Sequence, residues 1–251
     1  MEERFVPPTM AEAQPVGPPD AEGTGVVSPK VGLADPRALQ ILTTEHWSLL
    51  SARALVYNEA FARAGMFLAF LSATLVVLGL ISTATGFSEA FLIVTAVVLA
   101  LDLFIGLATL GRIAAASNED IHYLQGMNRI RHAYQEIVPG VDRYFVTSHH
   151  DDFRSVASHY GPSTFGSVAG VAHGLTTTPG MITVICGGVA GGLLGVLLLL
   201  TTHDAVFAGL GGLLGLALFC LIVTLVSMRR VVAWSTHMQA LFPAPGPDAR
   251  D

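Results

Sequence analysis

Four stretches of this chain are apolar over nearly their whole length: residues 64–81, 89–111, 181–200 and 205–227. A helix rises 1.5 Å per residue, so roughly 20 apolar residues cross a hydrocarbon core about 30 Å thick. The first run is on the short side and is completed by Ser82 and Thr83. The segments 82–88 and 201–204 between consecutive runs are tight connections. The fold class expected is therefore all-α: a polytopic membrane protein with four transmembrane helices in two hairpins.

Composition narrows the alternatives. Of 251 residues, 52% are hydrophobic and 13% charged, against about 25% charged in an ordinary soluble domain. That excludes a soluble globular domain and a wholly disordered chain. The formal net charge is −6 and the 13 cations are scattered, which argues against a nucleic-acid partner or a polybasic lipid-binding segment. Cys186 and Cys220 both fall inside apolar runs, where buried free thiols are expected rather than a disulfide framework or a zinc site.

The cations also set an orientation. They lie in the amino-terminal region (Arg4, Lys30, Arg37, Arg53, Arg63), the central connection (Arg112, Arg129, Arg131, Arg143, Arg154) or the tail (Arg229, Arg230, Arg250). The two short connections hold none. Lys and Arg in short loops are retained on the cytoplasmic side, so both termini are expected in the cytoplasm of a multi-pass protein of the inner (plasma) membrane.

Helical patterning continues beyond the spans. Asp35 and Pro36 make a good helix start, and no further proline interrupts the chain before Pro139. Trp47, Leu50, Ala54, Tyr57 and Phe61 recur at alternating spacings of three and four, as do Tyr123, Met127, Ile130, Tyr134 and Ile137. The extensions 36–63 and 112–137 are each roughly 40 Å long and are expected to pair as an antiparallel cytoplasmic stalk. The alternative is a pair of amphipathic helices on the inner leaflet, but the polar faces carry acids as well as arginines, unlike a lipid-seeking cationic helix. Val231, Trp234, Met238 and Leu241 repeat the spacing and extend the fourth helix toward Pro243.

The organisation expected is a disordered cytoplasmic tail (1–34, with six prolines), a first hairpin with its stalk (35–137), a cytoplasmic connector (138–180), a second hairpin with a short cytoplasmic helix (181–242) and a second disordered tail (243–251). Small residues four apart let two helices approach in lipid. Gly187, Gly191 and Gly195 in the third span, with Gly188 and Gly192 one position on, and Gly211 and Gly215 in the fourth, are the helix-packing candidates. One glycine edge of the third span suits the fourth span, and the other suits a neighbouring subunit of a homo-oligomer.

Chemistry-bearing residues are few. Asp102 is the one ionisable residue deep inside a span, ~20 Å from the outer end of the second helix. With no intramembrane cation to pair with, it is either protonated and bonded to a first-span hydroxyl such as Ser72 or Thr74, or it faces a wet path and binds a cation or proton. Ser148, His149, His150, Asp151 and Asp152 are the densest cluster of metal-ligand types. On a helix His149 and Asp152 share a face, with His132 or His159 arriving from elsewhere. The plainer reading, and the one preferred, is a capping-box-like start with Ser148 followed by Asp151. In 161–180, Gly166, Gly170 and Gly174 are spaced four apart, which fits a re-entrant segment or, more simply, a short surface helix and linker. His173 within it supports no assignment. Enzyme signatures are absent, so neither a catalytic residue nor a cofactor is expected.

The stretches Leu42–Arg53, Tyr57–Phe61, Gly65–Phe67, Asn118–Asp120, Gln125–Arg131 and Phe145–Asp152 resemble an uncharacterised family of integral membrane proteins of actinobacteria. The resemblance covers roughly residues 42–152. It implies a bacterial inner-membrane protein and brings no activity with it. In topology alone, a two-span hairpin with long cytoplasmic helices is similar to the SLATT domains proposed as pore-forming effectors; the second hairpin departs from that pattern. The function expected is a small oligomeric channel or pore-like transport protein. The rival is a non-transporting membrane scaffold or signalling adaptor whose stalk binds a cytoplasmic protein partner. The orientation is checked by scanning-cysteine labelling, which should find residues 86 and 203 reactive from outside the cell and residue 140 reactive only after permeabilisation.

Overall fold

The computed structural model describes Leu33 and residues 35–160, 174 and 176–245. The expected tail 1–34 thus lies almost wholly outside the described residues, as do Gly166, Gly170, His173 and the end of the second tail. Among the described residues five α-helices follow in order: α1 (Pro36–Thr85), α2 (Glu89–Ile137), α3 (Phe153–Ala157), α4 (Thr178–Thr202) and α5 (Ala205–His237). Two short 3-10 turns, Val141–Tyr144 and Ser158–Tyr160, flank α3. Among the described residues, α1, α2, α4 and α5 are each long and apolar enough to cross a membrane.

The helix boundaries follow from local chemistry. Asp35 caps α1 by accepting the Arg37 N–H at 2.9 Å, with Pro36 at the first helical position. α1 stops at Gly86, whose φ of 63° is open to a residue without Cβ. Ser88 starts α2 two residues later, accepting from Phe91 N, and Glu89 places a negative charge in its first turn. Thr177 caps α4, and Asp204 caps α5 through Val206 N and Phe207 N.

α1 is 50 residues long and α2 is 49, about 75 Å each, more than twice the hydrocarbon thickness of about 30 Å. The packing order is α1 on α2, α2 on α4, and α4 on α5. The main core joins Ala60, Ala64, Phe67 and Leu71 of α1 to Leu99, Ile113 and Ala116 of α2 and Ile182, Cys186 and Val189 of α4. A smaller core at the charged ends gathers Leu124 and Met127 of α2 and Val156 of α3, with Leu49 and Met238 against them.

The packed face of α1 is not the expected stripe. Trp47, Leu50, Ala54 and Phe61 are exposed and Tyr57 alone of that stripe is half-buried, while Ala60 is buried beside it and Ala64, Phe67, Leu71 and Leu78 carry the buried face on into the apolar run. The fourth helix also ends earlier than its spacing implies. It stops at His237, so Met238 and Leu241 belong to an extended tail rather than to a helix. Trp234, still helical, meets His122 edge-on at 4.6 Å.

The glycines mark where helices approach most closely. A Cβ on Gly191 would lie 2.4 Å from Gly212 O and 3.1 Å from Leu216 Cβ on α5. Gly187 faces Cys220 Sγ and Gly195 faces Ala208 O, while Gly211 and Gly215 meet the Leu198 and Leu194 side chains. On the second edge, Gly192 touches Leu99 of α2 at 3.8 Å and Gly188 has open space. Gly106, which glycine spacing does not single out, sits where three helices meet: its Cβ would be 2.6 Å from Cys186 Sγ and 3.0 Å from the Phe67 ring. Forced overpacking of this kind costs about 1–3 kcal/mol, whereas alanine in an unobstructed helix is favoured over glycine by roughly 0.5–1 kcal/mol. Gly191→Ala and Gly106→Ala should therefore lower resistance to denaturation in detergent, and Gly188→Ala should leave it unchanged or raise it.

Candidate functional site

One face of α2 carries the buried polar groups. Asp102 and Asp120 are 18 positions apart, five turns of 3.6 residues, so both point the same way; Gly106, Thr109, Ile113 and Ala116 lie between them and are buried too. Within the apolar half, Asp102 is 0% exposed. Its Oδ1 accepts from Thr74 Oγ1 at 3.4 Å, and its Oδ2 has no partner among the described residues. Ser72, the other hydroxyl considered for this role, donates to Leu68 O instead. Thr74 is also the one polar residue lining a shallow groove of about 280 Å³ between α1 and α2, with Phe70, Val77, Leu78, Val94 and Val98 among its walls.

The apolar half gives way to charge at Arg112. Its guanidinium bridges Glu59 of α1 (2.8 and 3.2 Å) and Glu119 of α2 (2.9 Å), and Arg63 also reaches Glu59. These groups are partly or well exposed, and pairs of that kind add little stability.

Beyond them lies the first buried knot. Asp120, fully buried, accepts from both Nε and a terminal nitrogen of Arg53, from Tyr57 Oη at 2.8 Å and from Tyr160 Oη at 2.5 Å. Arg53 and Tyr57 are four apart on α1 and so share a face. Tyr160 arrives from the turn after α3, so a single carboxylate ties three segments together. Burial and the neighbouring Asp120 push the Tyr160 phenol far above its ordinary range, which keeps it a proton donor.

A second knot holds the tail. Asp151 is fully buried. Its carboxylate accepts from Arg129 Nε at 2.7 Å, Leu241 N at 3.0 Å and Phe242 N at 2.8 Å, and its own N–H donates to Phe242 O at 3.3 Å. Gln125 and Arg129 both donate to Gln239 O, at 3.0 and 3.1 Å. Asp152 accepts from Ala244 N at 3.2 Å and caps α3 through Ser155 N. The helix cap is therefore Asp152; Ser148 instead accepts from His150 N in a local turn. Burial pushes the Asp151 carboxyl up, but Arg129 and the tail N–H groups outweigh it and hold the group below its ordinary value.

The histidines gather around this knot without forming a metal shell. His132 stacks on Phe242 with centroids 3.9 Å apart, His149 lies 5.8 Å from His132, and His150 lies 4.1 Å from His149. Among the described residues, no group of three or more His, Cys, Asp or Glu side chains converges on a metal position. His132 Nε2 is 3.4 Å from Glu136. The Nδ1 atoms of His132 and His150 are buried without partners among the described residues. Burial and the adjacent His150 and His132 hold the His149 imidazole below its ordinary value.

No protein-family model, curated protein or solved structure matches the chain. The polar groups of the two knots bind backbone and one another.

Two knots were invisible to periodicity. The signal available was polar residues at helical spacing, Arg53 with Tyr57 and Gln125 with Arg129, on faces otherwise small or apolar.

Removing one partner of a buried ion pair strands the other. Asp120→Asn should lower the unfolding free energy by about 3 kcal/mol, and the variant that removes every donor together with the acceptor, Arg53→Met, Tyr57→Phe and Tyr160→Phe with Asp120→Leu, should recover most of that loss. In the second knot, His149, Asp151 and Asp152 sit below their ordinary values, so the stability they contribute is complete above those values and is lost as pH falls. Protection of the Leu241 and Phe242 amides, corrected for intrinsic exchange, should decline below about pH 6.5 because of His149 and again below about pH 4 because of Asp151 and Asp152. His149→Gln should abolish the first decline and keep the second.

Proposed function

We propose that this protein is a non-transporting scaffold or signalling adaptor of the bacterial inner membrane, with its four spans arranged as two hairpins and both termini in the cytoplasm. In this reading the charged halves of α1 and α2 form a cytoplasmic stalk that meets a protein partner. Positive-inside retention supports the orientation, and helices about 75 Å long joined by a three-residue turn must project from the same side of the bilayer. The observation that carries the reading is the contrast between two ends of one helix face. Asp102 is sealed from water between α1 and α2, whereas Asp120 and Asp151 organise a multi-segment surface at the charged end. No catalytic role and no cofactor enter this reading.

The exposed apolar side of α5, with Leu210, Leu213, Leu214 and Leu218 outward, supports contact with the bilayer and self-association within it. One observation favours a second reading, a small oligomeric channel or pore-like transporter: Asp102 Oδ2 has no partner among the described residues, as a group that binds a proton or cation would require.

Reconstituted in planar bilayers and proteoliposomes, the wild-type protein should pass neither ions nor protons above the empty-bilayer background between pH 5 and 8, and Asp102→Asn should behave identically. A cation or proton current that Asp102→Asn abolishes would establish the channel instead.

A further inference from the structure

The tail 238–245 carries no ionisable side chain, and the seat holds it mainly by its backbone. Gln239 O, Leu241 N, Phe242 N, Phe242 O and Ala244 N are each bonded to Gln125, Arg129, Asp151 or Asp152. Two side chains add contacts, Phe242 stacked on His132 and Met238 at the start of the tail against the core of Leu124, Met127 and Val156, while Leu241 is 64% exposed and is not read. Pro243 follows Phe242 and has no N–H to satisfy; the next donor, Ala244 N, is the one that Asp152 accepts.

We propose that Gln125, Arg129, His132, Asp151 and Asp152 form a receptor for an extended, uncharged peptide carrying an aromatic–proline pair, and that the chain's own tail occupies it in cis until a partner's segment of that kind displaces it. Backbone-directed recognition with one side-chain pocket is how extended peptides are generally bound, and it accepts any sequence that keeps the aromatic residue and the following proline. The tail is also not a complete fit. His132, stacked on Phe242, keeps its Nδ1 buried with no partner among the described residues, and a buried polar atom left unpaired weakens the complex that buries it. A displacing segment that offers a donor there binds better than the tail does. The tail's advantage is that it is tethered, which gives it a high effective concentration.

The inference rests on the adaptor reading and names the chemistry of its partner. Its test uses the full-length chain and a fluorescent octapeptide copying residues 238–245. Full-length Phe242→Ala, whose own tail has lost its ring contact, should bind the peptide saturably and at least tenfold more tightly than the wild type. Adding Asp151→Asn to that variant, or replacing the peptide's phenylalanine with alanine, should lose at least tenfold. In the wild type, excess peptide should accelerate amide exchange in residues 239–244 of the chain, a readout independent of any variant's folding. Equal binding with and without Asp151→Asn, or tail exchange indifferent to excess peptide, overturns the receptor. A current lost in Asp102→Asn would overturn the adaptor reading without altering either peptide result.

Discussion

The structure is organised around one unbroken helix. α2 packs against α1 along one face and against α4 along another, and its long row of buried residues runs from Phe91 to Ile130. Two solvents impose different rules on that row. In the apolar half, contact is made by small and aliphatic groups, with Gly106 admitting Phe67 and Cys186, because lipid offers no hydrophobic gain and close packing must hold the helices together. In the charged half the same row carries Asp120, Gln125 and Asn128, all buried and all bonded to other segments. A continuous helix lets one element serve both regimes without a joint.

Surface and buried charges contribute differently to this arrangement. The Arg112, Glu59 and Glu119 group sits where the apolar run ends, but its members are open to solvent, and screening leaves such a cluster with a positioning role. Asp120 and Asp151 are fully enclosed. Each carries three or more donors, as an ionised carboxylate away from water requires. The enclosed pairs therefore define which segments meet, and the exposed ones mark only the level at which the chain leaves the apolar half.

The helices and some of their ends were legible because their signals are local: apolar runs, the Asp35–Pro36 start and the absence of a further proline before Pro139. Which face packs was not. Trp47, Leu50 and Phe61 satisfy a helical spacing yet are exposed, since the true interface of α1 at that level uses Arg53, Tyr57, Ala60 and Ala64. A hydrophobic count scores Arg53 as polar and the two alanines as small, and of the expected stripe Tyr57 alone reaches this interface; Arg53 and Tyr57 turn inward because their partner, Asp120, lies more than 60 positions along the chain. Likewise Met238 and Leu241 continue the spacing of α5, but backbone beyond His237 bonds to Asp151 instead of to the preceding turn. Asp102 and Thr74 were visible, because an acid in a span has few hydroxyls within reach.

The register of the two aspartates has a mechanical consequence. With Asp102 and Asp120 five whole turns apart on a rigid rod, any twist of α2 about its long axis displaces both together. Turning by one residue, about 100°, would carry Asp102 away from Thr74 and strip Asp120 of Arg53 and both tyrosines in the same movement. Each carboxylate therefore acts as a key in a slot, and the shaft is blocked against rotation at two depths. α5 bears no such key, having only Ala208 buried, and is held instead by the close backbone approach of Gly212 to Gly191, which fixes how near it lies to α4 without a buried carboxylate.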